Sequence, residues 1–336
     1  MWEKTSIIIT TINKSTKAIE TYRKFAENNN AKLIIVGDKK TPDFEDCENM
    51  HYLSIEKQID LFPSFANLIP YNHYCRKNIG YLYAISNGSE YIFDTDDDNI
   101  PYEKFKDIFN LDYQNKVEYN SNSLESVNIY KYFSKANIWP RGIPLKDIHN
   151  FKEANLIPIK DELSINEFPI IQFLANKDPD VDSIYRFIFP GEINFEAGEK
   201  IILLGKNIWC PFNSQATLIH KSVFPLLYLP CHVSFRMTDI WRSFIAQSFI
   251  KSVNKKLAFA KPIVYQDRNP HNLMKDFSDE IDGYLLNESI IKICSEFKWN
   301  NFKSLKEIYK KLGSELSCIR NEEIKIIEEW LKFFNT

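Results

Sequence analysis

The sequence predicts an α/β fold in which helices flank a sheet with parallel strands and a helical segment follows. Two apolar, β-branched runs at 6–11 and 32–36 enclose a helical pattern through Ala18 and Phe25. Strand, helix and strand within about 35 residues is the βαβ arrangement of a parallel sheet. From residue 285 onward, apolar residues recur at helical spacing, which predicts a C-terminal helical appendage.

Composition narrows the class of protein. A chain of 336 residues that is 44% hydrophobic can bury a large core. The net charge is -3, with both signs interspersed and no dense basic tract, so nucleic acid is not an expected partner. Six scattered cysteines without a C-x-x-C spacing indicate reduced thiols of an intracellular protein.

The first residues and the hydropathy pattern predict where the protein resides. Strand-like sequence follows directly after Met1-Trp2-Glu3-Lys4, so we expect no signal peptide. No apolar run approaches the roughly 18 residues that a membrane span requires. We therefore predict a cytoplasmic protein without a transmembrane segment.

Polar residues follow the first two predicted strands. Thr10, Thr11 and Asn13 come after the first, and Gly37 and Asp38 come after the second. No G-x-G-x-x-G motif is present, so a dinucleotide-binding fingerprint is absent. These residues either line a mononucleotide cleft or are ordinary turn residues.

A predicted helix over residues 71–86 carries cations in its early turns. Its apolar stripe includes Ile79 and Leu82, and Asn87-Gly88 ends it. Arg76 and Lys77 lie where the helix dipole disfavours cations but favours phosphate. Arg76 therefore either faces a bound anion or pairs with a surface carboxylate.

An acidic cluster follows the third predicted strand, which begins at Tyr91. Asp94, Asp96, Asp97 and Asp98 stand within five positions and repel one another unless a cation lies among them. A bound divalent cation is the main hypothesis, and a solvated acidic loop is its alternative.

The same cluster partly fits the pattern of a calcium-binding EF-hand loop. The spacing of its first three ligands is present, but Asn99 replaces the turn glycine, Pro101 interrupts the loop and Phe105 replaces the bidentate glutamate. What remains is a strand that delivers carboxylates to its carboxyl end, where open α/β sheets bind ligands.

Two further polar groups stand in the second half of the chain. The acidic residues within 178–182, with Arg186, form either a helix cap with solvated charge or an acceptor-binding loop. A helix begins near Asp239, which is either its cap or a general base, because Arg236 and Arg242 flank it. A last strand is predicted over 261–264.

These motifs, in this order, resemble the STELLO-like glycosyltransferase family. The resemblance covers about residues 5–275 and leaves the helical tail outside. It rests on Thr10-Thr11-Ile12-Asn13, Gly37-Asp38-x-Lys40-Thr41-Pro42, Pro70-Tyr71-Asn72-His73-Tyr74-x-Arg76-Lys77-Asn78-Ile79-Gly80-Tyr81, Asp94-Thr95-Asp96-Asp97-Asp98-Asn99, Trp139-Pro140-Arg141-Gly142, Asp178-Pro179-Asp180-Val181-Asp182, Asn213-Ser214-Gln215 and Arg236-x-Thr238-Asp239.

The resemblance implies a GT-A-like fold, with a Rossmann-type mixed sheet flanked by helices and a D-x-D metal motif. It implies a domain over 1–275 for the nucleotide-sugar and the acceptor, and the apolar spacing beyond it predicts a helical appendage over 276–336. The implied cofactor is Mn²⁺ or Mg²⁺, held by Asp96 and Asp98, or by Asp94 and Asp96.

The remaining roles are also carried over from the resemblance. Thr10 and Thr11 would contact the nucleoside, Asp38 the base or ribose, and Arg76 the diphosphate. Asp239 would deprotonate the acceptor hydroxyl. His271 would be a further metal or phosphate ligand, or a structural histidine.

The implied function is metal-dependent transfer of a sugar from a nucleotide-sugar, expected to be a UDP-sugar, to a hydroxyl of a glycan or other acceptor. A weaker resemblance to UDP-arabinopyranose mutases rests on Asp96-Asp97-Asp98 and on Arg236 with Asp239-Ile240-Trp241. It would make Arg236 a self-glycosylation residue, although Thr238 replaces an aspartate of those mutases. A catalytically silent GT-A scaffold is the non-enzymatic alternative.

Overall fold

The computed structural model describes residues 1–109, 116–160, 163–196, 201–268 and 272–334, and within them it forms a mixed α/β fold. The strands are β1 (Thr5–Thr10), β2 (Lys32–Val36), β3 (Met50–Leu53), β4 (Tyr91–Thr95), β5 (Asn99–Pro101), β6 (Lys116–Tyr119), β7 (Glu125–Ser126), β8 (Leu156–Pro158), β9 (Ile170–Asn176), β10 (Ile201–Leu204), β11 (Ile208–Trp209), β12 (Ala216–His220) and β13 (Leu257–Gln266). The helices are α1 (Lys17–Asn29), α2 (Ile55–Leu61), α3 (Pro63–Ala66), α4 (Lys77–Ser86), α5 (Tyr130–Phe133), α6 (Ser183–Ile188), α7 (Thr238–Ser252), α8 (Leu273–Glu296), α9 (Ser304–Leu316) and α10 (Glu322–Leu331).

The main sheet is mixed. Its strand order is β3-β2-β1-β4-β12-β9-β13-β10-β6-β8, and β5 pairs with β13 at the side. Strands β3, β2, β1 and β4 are mutually parallel, whereas β12 runs antiparallel between β4 and β9. Strands β9 and β13 are again parallel to each other. This arrangement confirms the predicted GT-A-like fold class.

The first βαβ unit forms because its strands are apolar on both sides. Ile7 and Ile9 pack with Ile19 of α1 on one face of the sheet. Ile8 packs with Ile79 of α4 on the opposite face. Both faces are therefore covered, as expected for parallel strands with continuous apolar runs.

Helix α4 lies very close to the sheet. A Cβ atom on Gly80 would come within 2.6 Å of Val36 Cγ2 and within 2.7 Å of Ile8 Cγ2. Only glycine permits this approach. The close packing fixes the first turn of α4 next to the carboxyl end of β4.

The C-terminal helices pack on the same face as α4 and α7. Ile290 of α8, Ile308 of α9 and Trp330 of α10 are fully buried in one hydrophobic cluster with Phe65 and Phe244. The described residues contain no helix that combines the length and the apolar character needed to cross a membrane.

Several local boundaries differ from the sequence predictions. The α-helix predicted over 71–86 begins at Lys77, because Tyr74–Arg76 form a 3-10 turn. The last strand runs over Leu257–Gln266 rather than 261–264. Neither Thr238 nor Asp239 caps α7: both lie inside its first turn, and Asp239 points towards an arginine instead.

Candidate functional site

The main cleft of the described structure lies at the carboxyl ends of the parallel strands. Its volume is about 630 Å³, and it is lined by residues that follow β1, β2, β4, β9 and β13 and by those that precede β12 and α7. The strand ends in open α/β sheets form such crevices because neighbouring connections leave in different directions. The predicted strand-end residues are thus brought together at one edge of the sheet.

One end of the cleft is formed by the loops after β1 and β2. Thr10, Thr11, Asn13 and Asp38 all line it. Asp38 accepts hydrogen bonds from the backbone N–H of Lys39 at 2.7 Å and of His73 at 3.3 Å. The carboxylate of Asp38 therefore also holds two loops in place.

Asp97 ties this end of the cleft to the acidic cluster. Its Oδ2 accepts hydrogen bonds from Thr11 Oγ1 at 2.5 Å and Asn13 Nδ2 at 2.9 Å, and its carbonyl accepts one from Thr16 Oγ1 at 2.5 Å. The polar side chains of Thr11 and Asn13 thus organise the loop, whatever else they bind.

Asp94 is directed into the protein rather than into the cleft. It is fully buried within β4, with Lys77 Nζ 2.7 Å from Oδ1 and Arg242 Nη1 3.1 Å from Oδ2. Burial alone would raise the pKa of Asp94, but Lys77 and Arg242 hold it below its usual value. Its carboxylate is therefore already neutralised by two cations.

Asp96 and Asp98 are the carboxylates of the cluster that line the cleft together with Asp97. Asp96 accepts hydrogen bonds from Tyr74 Oη at 2.6 Å and Lys77 Nζ at 3.0 Å, and 30% of its side chain is exposed. Asp98 Oδ2 accepts one from Gln266 Nε2 at 3.0 Å. Burial raises the pKa of Asp96 against the opposing effect of Lys77.

Lys77 was not predicted to lie inside the acidic cluster. Its fully buried ammonium group contacts Asp94, Asp96 and the Thr95 carbonyl, the last at 2.6 Å. The sequence predicted that Lys77 lies in an early turn of a helix, and it is the first residue of α4. The direction of its side chain could not be predicted, because it depends on how α4 crosses the sheet. Lys77 thus offsets part of the repulsion between the carboxylates, on which the prediction of a bound metal was based.

Arg76 lines the cleft but is 1% exposed and is engaged mainly with α2 and α3. Its Nε donates to Gln58 Oε1 of α2 at 2.9 Å, and its Nη1 lies 3.3 Å from the Ala66 carbonyl of α3. Within the part of the chain that the structure describes, Arg76 forms no ion pair with a surface carboxylate, the alternative considered for it. Neutralisation of a diphosphate by Arg76 stays a prediction.

Asp239 lies at the other end of the cleft, in the first turn of α7. Both of its carboxylate oxygens are 3.1 Å from Arg141 Nη2, and the backbone N–H of Ser214 donates to Oδ2 at 3.2 Å. Arg141 also forms a two-point ion pair with Asp180, at 2.7 and 2.8 Å. Asp239 is thereby held in one orientation facing the cleft.

Three more arginines line this end. Arg236 donates through Nε to Glu280 at 2.9 Å, and Arg268 pairs with Asp276 at 3.0 Å. Arg186 contacts Asp178 and the Pro179 carbonyl, the latter at 3.0 Å. Arg141 and Arg186 had only been noted as parts of motifs, because their convergence depends on the packing of separate loops.

The carboxylates of Asp96 and Asp98 suit a divalent cation that is also bound by the phosphates of a substrate. Among the described residues there is no group of three or more His, Cys, Asp or Glu side chains that could form a complete protein cage. Mg²⁺ in nucleotide sites uses one or two carboxylates together with substrate phosphates and water, which Asp96 and Asp98 can match. His271, the other candidate ligand, lies outside the described residues.

Comparisons with known proteins agree with the resemblance. A family model described as STELLO glycosyltransferases matches residues 236–334. The chain is 27% identical over 322 residues to "Probable glycosyltransferase STELLO2" of Arabidopsis thaliana, which covers 89% of this chain and 41% of that protein. It is 28% identical over 249 residues to "Probable glycosyltransferase STELLO1" of the same plant. This match covers 70% of this chain and 32% of that protein.

Two facts qualify the extent of this similarity. The chain spans less than half the length of these curated relatives. The family model reaches through α8, α9 and α10, so the similarity does not stop near residue 275, where the motifs had placed its end. The order of motifs, the mixed sheet and these matches agree that the chain is similar to the STELLO glycosyltransferases.

Proposed function

We propose that the protein is a metal-dependent glycosyltransferase that moves a sugar from a nucleotide-sugar, a UDP-sugar, to a hydroxyl acceptor. The observation that carries this proposal is that these side chains line one cleft in the order of the strands beneath them. Thr10 and Asp38 lie at the ends of β1 and β2, and Asp96 and Asp98 follow the neighbouring strand β4. Asp239 accepts a hydrogen bond from Ser214, just before β12 on the other side of β4. The names of the similar Arabidopsis proteins support a glycosyltransferase activity.

The nucleoside is assigned to the end formed by the loops after β1 and β2. Asp38 accepts hydrogen bonds from ribose or base, and Thr10 and Thr11 border the same space. The hydrogen bonds of Asp97 with Thr11 and Asn13 keep this loop in a fixed conformation before substrate arrives. Such preorganisation lowers the entropic cost of binding.

Asp96 and Asp98 would hold Mn²⁺ or Mg²⁺ against the diphosphate. A divalent cation there neutralises the charge that develops on the leaving nucleoside diphosphate. Asp94 is not assigned as a ligand, because Lys77 and Arg242 already occupy its two oxygens. Tyr74 and Lys77 orient Asp96 through hydrogen bonds to its Oδ1.

Asp239 is the proposed general base. Its Oδ2 takes the proton from the acceptor hydroxyl as that oxygen bonds to the anomeric carbon of the donor sugar. The bond between this carbon and the diphosphate oxygen breaks, and its electron pair leaves with the nucleoside diphosphate. The hydrogen bond from Ser214 N–H and the contact with Arg141 hold the carboxylate in one orientation, directed at the acceptor.

A calorimetric titration with UDP, in the presence and absence of Mn²⁺, tests the proposal. We expect UDP to bind much more tightly with Mn²⁺, and Asp96→Ala to remove that difference. Asp60→Ala, at an exposed position on α2, is the matched control and should bind as the wild type does. UDP binding that is absent, or that is unchanged in Asp96→Ala, would contradict the proposal.

A further inference from the structure

We infer that the acceptor carries an anionic group, a phosphate or a carboxylate, close to its reacting hydroxyl, and that four arginines bind this group. This inference rests on the proposed function and extends it to the class of acceptor. The arginines are Arg141, Arg186, Arg236 and Arg268, and together they are called the arginine wall. All four line the cleft.

The arginine wall is assembled from four separate parts of the chain. Arg141 comes from the loop after α5, Arg186 from α6, Arg236 from the turn before α7 and Arg268 from the segment after β13. Guanidinium groups repel one another, and their convergence in one cleft requires compensation. Planar guanidinium groups bind phosphates and carboxylates through paired hydrogen bonds, and a bound anion supplies such compensation.

Carboxylates behind the wall hold three of the arginines in place. Glu280 binds Arg236, Asp276 binds Arg268, and Asp178 contacts Arg186 while lying 3.8 Å from Arg268. None of these three carboxylates lines the cleft. They orient the guanidinium groups from the rear and leave other faces of the arginines directed into the cleft.

The charged groups that line the cleft differ between the two proposed subsites. Among the described lining residues, the arginine wall stands with two aspartates, Asp180 and Asp239, whereas Asp38 and the three aspartates at 96–98 stand with Lys40 and Arg76. The three carboxylates behind the wall compensate its charge within the protein. The wall therefore offers a ligand guanidinium N–H donors rather than a net positive charge.

One observation shows that the arginine wall has unused hydrogen-bonding capacity. Arg186 Nε is buried and has no hydrogen-bond partner among the described residues, which is costly unless a ligand supplies an acceptor. Burial, together with repulsion from Arg186, lowers the pKa of Arg268 to about 10, and a bound anion would stabilise its charged form.

The position of the wall assigns it to the acceptor rather than to the nucleoside. Arg141 contacts Asp239, the proposed base, so this member of the wall lies beside the place where the acceptor hydroxyl must be. Arg186 follows β9, which is three strands away from β1 in the sheet. With about 4.8 Å between neighbouring strands, this separation is about 14 Å.

The test compares neutral and charged sugars on the protein loaded with UDP and Mn²⁺, and also on the protein alone. Glucose, glucose 6-phosphate and glucuronate serve as probes, with dissociation constants measured by calorimetry. We expect at least one charged probe to bind at least tenfold more tightly than glucose. The double variant Arg186→Gln/Arg268→Gln should lose this preference, while its affinity for UDP changes less than twofold.

Two controls separate charge from folding. Arg23→Gln, on the outer face of α1, removes a surface arginine paired with Glu20 and Glu27 and should retain the preference. Arg186→Lys/Arg268→Lys keeps the charge but not the planar donor pair, so part of the preference should remain. Melting curves confirm that each variant is folded.

Equal binding of all three probes to the wild type would overturn the inference, as would an absence of any binding. A parallel loss of UDP affinity in the glutamine variant would also overturn it, because the arginines would then hold the donor diphosphate. Failure of UDP and Mn²⁺ to bind would instead contradict the proposed function, and the probe measurements without nucleotide would still decide the anion preference.

Discussion

The buried side chain of Lys77 determines which carboxylates of the acidic cluster can still bind a ligand. Its ammonium group lies 2.7 Å from Asp94 and 3.0 Å from Asp96, with no exposed area. Burying these charges is favourable only because they are paired and hydrogen-bonded. Asp94 thus becomes part of the internal support of the site, and Asp96 remains open to the cleft.

Lys77→Met should destabilise the protein by about 3 kcal/mol, because the substitution removes one partner of a buried ion pair. The remaining contact of Asp94 with Arg242 limits the loss. The free energy of unfolding in urea measures the effect.

Lys57→Met is the matched control for this prediction. Lys57 pairs with Asp46 at the surface, where both side chains are more than 40% exposed, so the loss should stay below about 1 kcal/mol. Equal losses in the two variants would show that Lys77 does not compensate the buried carboxylates.

Asp239→Asn should reduce the turnover of donor and acceptor by about 100-fold or more, because general base catalysis contributes at least that factor. Asparagine keeps the shape of the side chain but cannot take the proton. UDP affinity should stay within twofold of the wild type, since Asp239 contacts Arg141 and Ser214 rather than the loops after β1 and β2. Unchanged turnover would remove Asp239 from the role of base.

At the scale of elements, the site depends on how α7 and α8 hold the loop that carries Arg141. Gly142 has a φ of +91°, and its carbonyl accepts a hydrogen bond from Asn287 Nδ2 at 2.8 Å. A Cβ atom at this position would come within 2.4 Å of Ile240 Cγ2 on α7. The tight contact therefore fixes Arg141 relative to Asp239.

Gly142→Ala should be more destabilising than Gly88→Ala by at least about 1 kcal/mol, because overpacking adds to backbone strain. Gly88 has a similar φ of +77°, but a Cβ atom there would meet nothing within 4 Å. Chemical denaturation of the two variants isolates the packing contribution. Equal destabilisation would mean that α7 can move away without cost.

Local sequence patterns predicted β1, α1, β2, α4 and β4, but not β3, α2, α3 or the elements between residues 99 and 158. The βαβ unit and β4 are continuous apolar runs that fit no other arrangement, and the structure confirms them. The first turn of α4 was placed too early because the pattern cannot separate a 3-10 turn from an α-helix. The caps proposed for α7 were wrong because Asp239 forms an ion pair with Arg141, which is 98 residues away in sequence.

The site was predictable only in part, for the same reason. Thr10, Asp38, Asp96 and Asp239 line one cleft, as strand-end positions and motif order suggested. The inward direction of Asp94 and the convergence of Arg186 with Arg268 depend on contacts between distant segments, which spacing does not reveal. Activity measurements, and not the fold, distinguish the mutase and scaffold alternatives from the proposed glycosyltransferase.

At the scale of the whole molecule, the C-terminal helices support the cleft as well as the core. Glu280 of α8 binds Arg236 and accepts a hydrogen bond from the backbone N–H of Ser183 at 2.8 Å. Glu323 of α10 is fully buried and accepts hydrogen bonds from the backbone N–H groups of Cys231 and His232. These contacts connect the helices to both the core and the arginine wall.

A chain shortened to residues 1–275 should fail to unfold cooperatively, because it loses the apolar side chains of α8, α9 and α10 from the main cluster and leaves Phe65 and Phe244 exposed. Circular dichroism during urea denaturation, together with binding of a hydrophobic dye, measures this. A shortened chain that unfolds in a single sharp transition would support a separate appendage over 276–336.

The most direct test of the central claim is a crystal structure of the protein with UDP and Mn²⁺, using the anomalous scattering of manganese to locate the ion. We expect an anomalous peak next to Asp96 and Asp98, with the diphosphate on its far side and the nucleoside near Thr10 and Asp38. A manganese ion bound elsewhere, or UDP bound in the cleft without manganese, would contradict it.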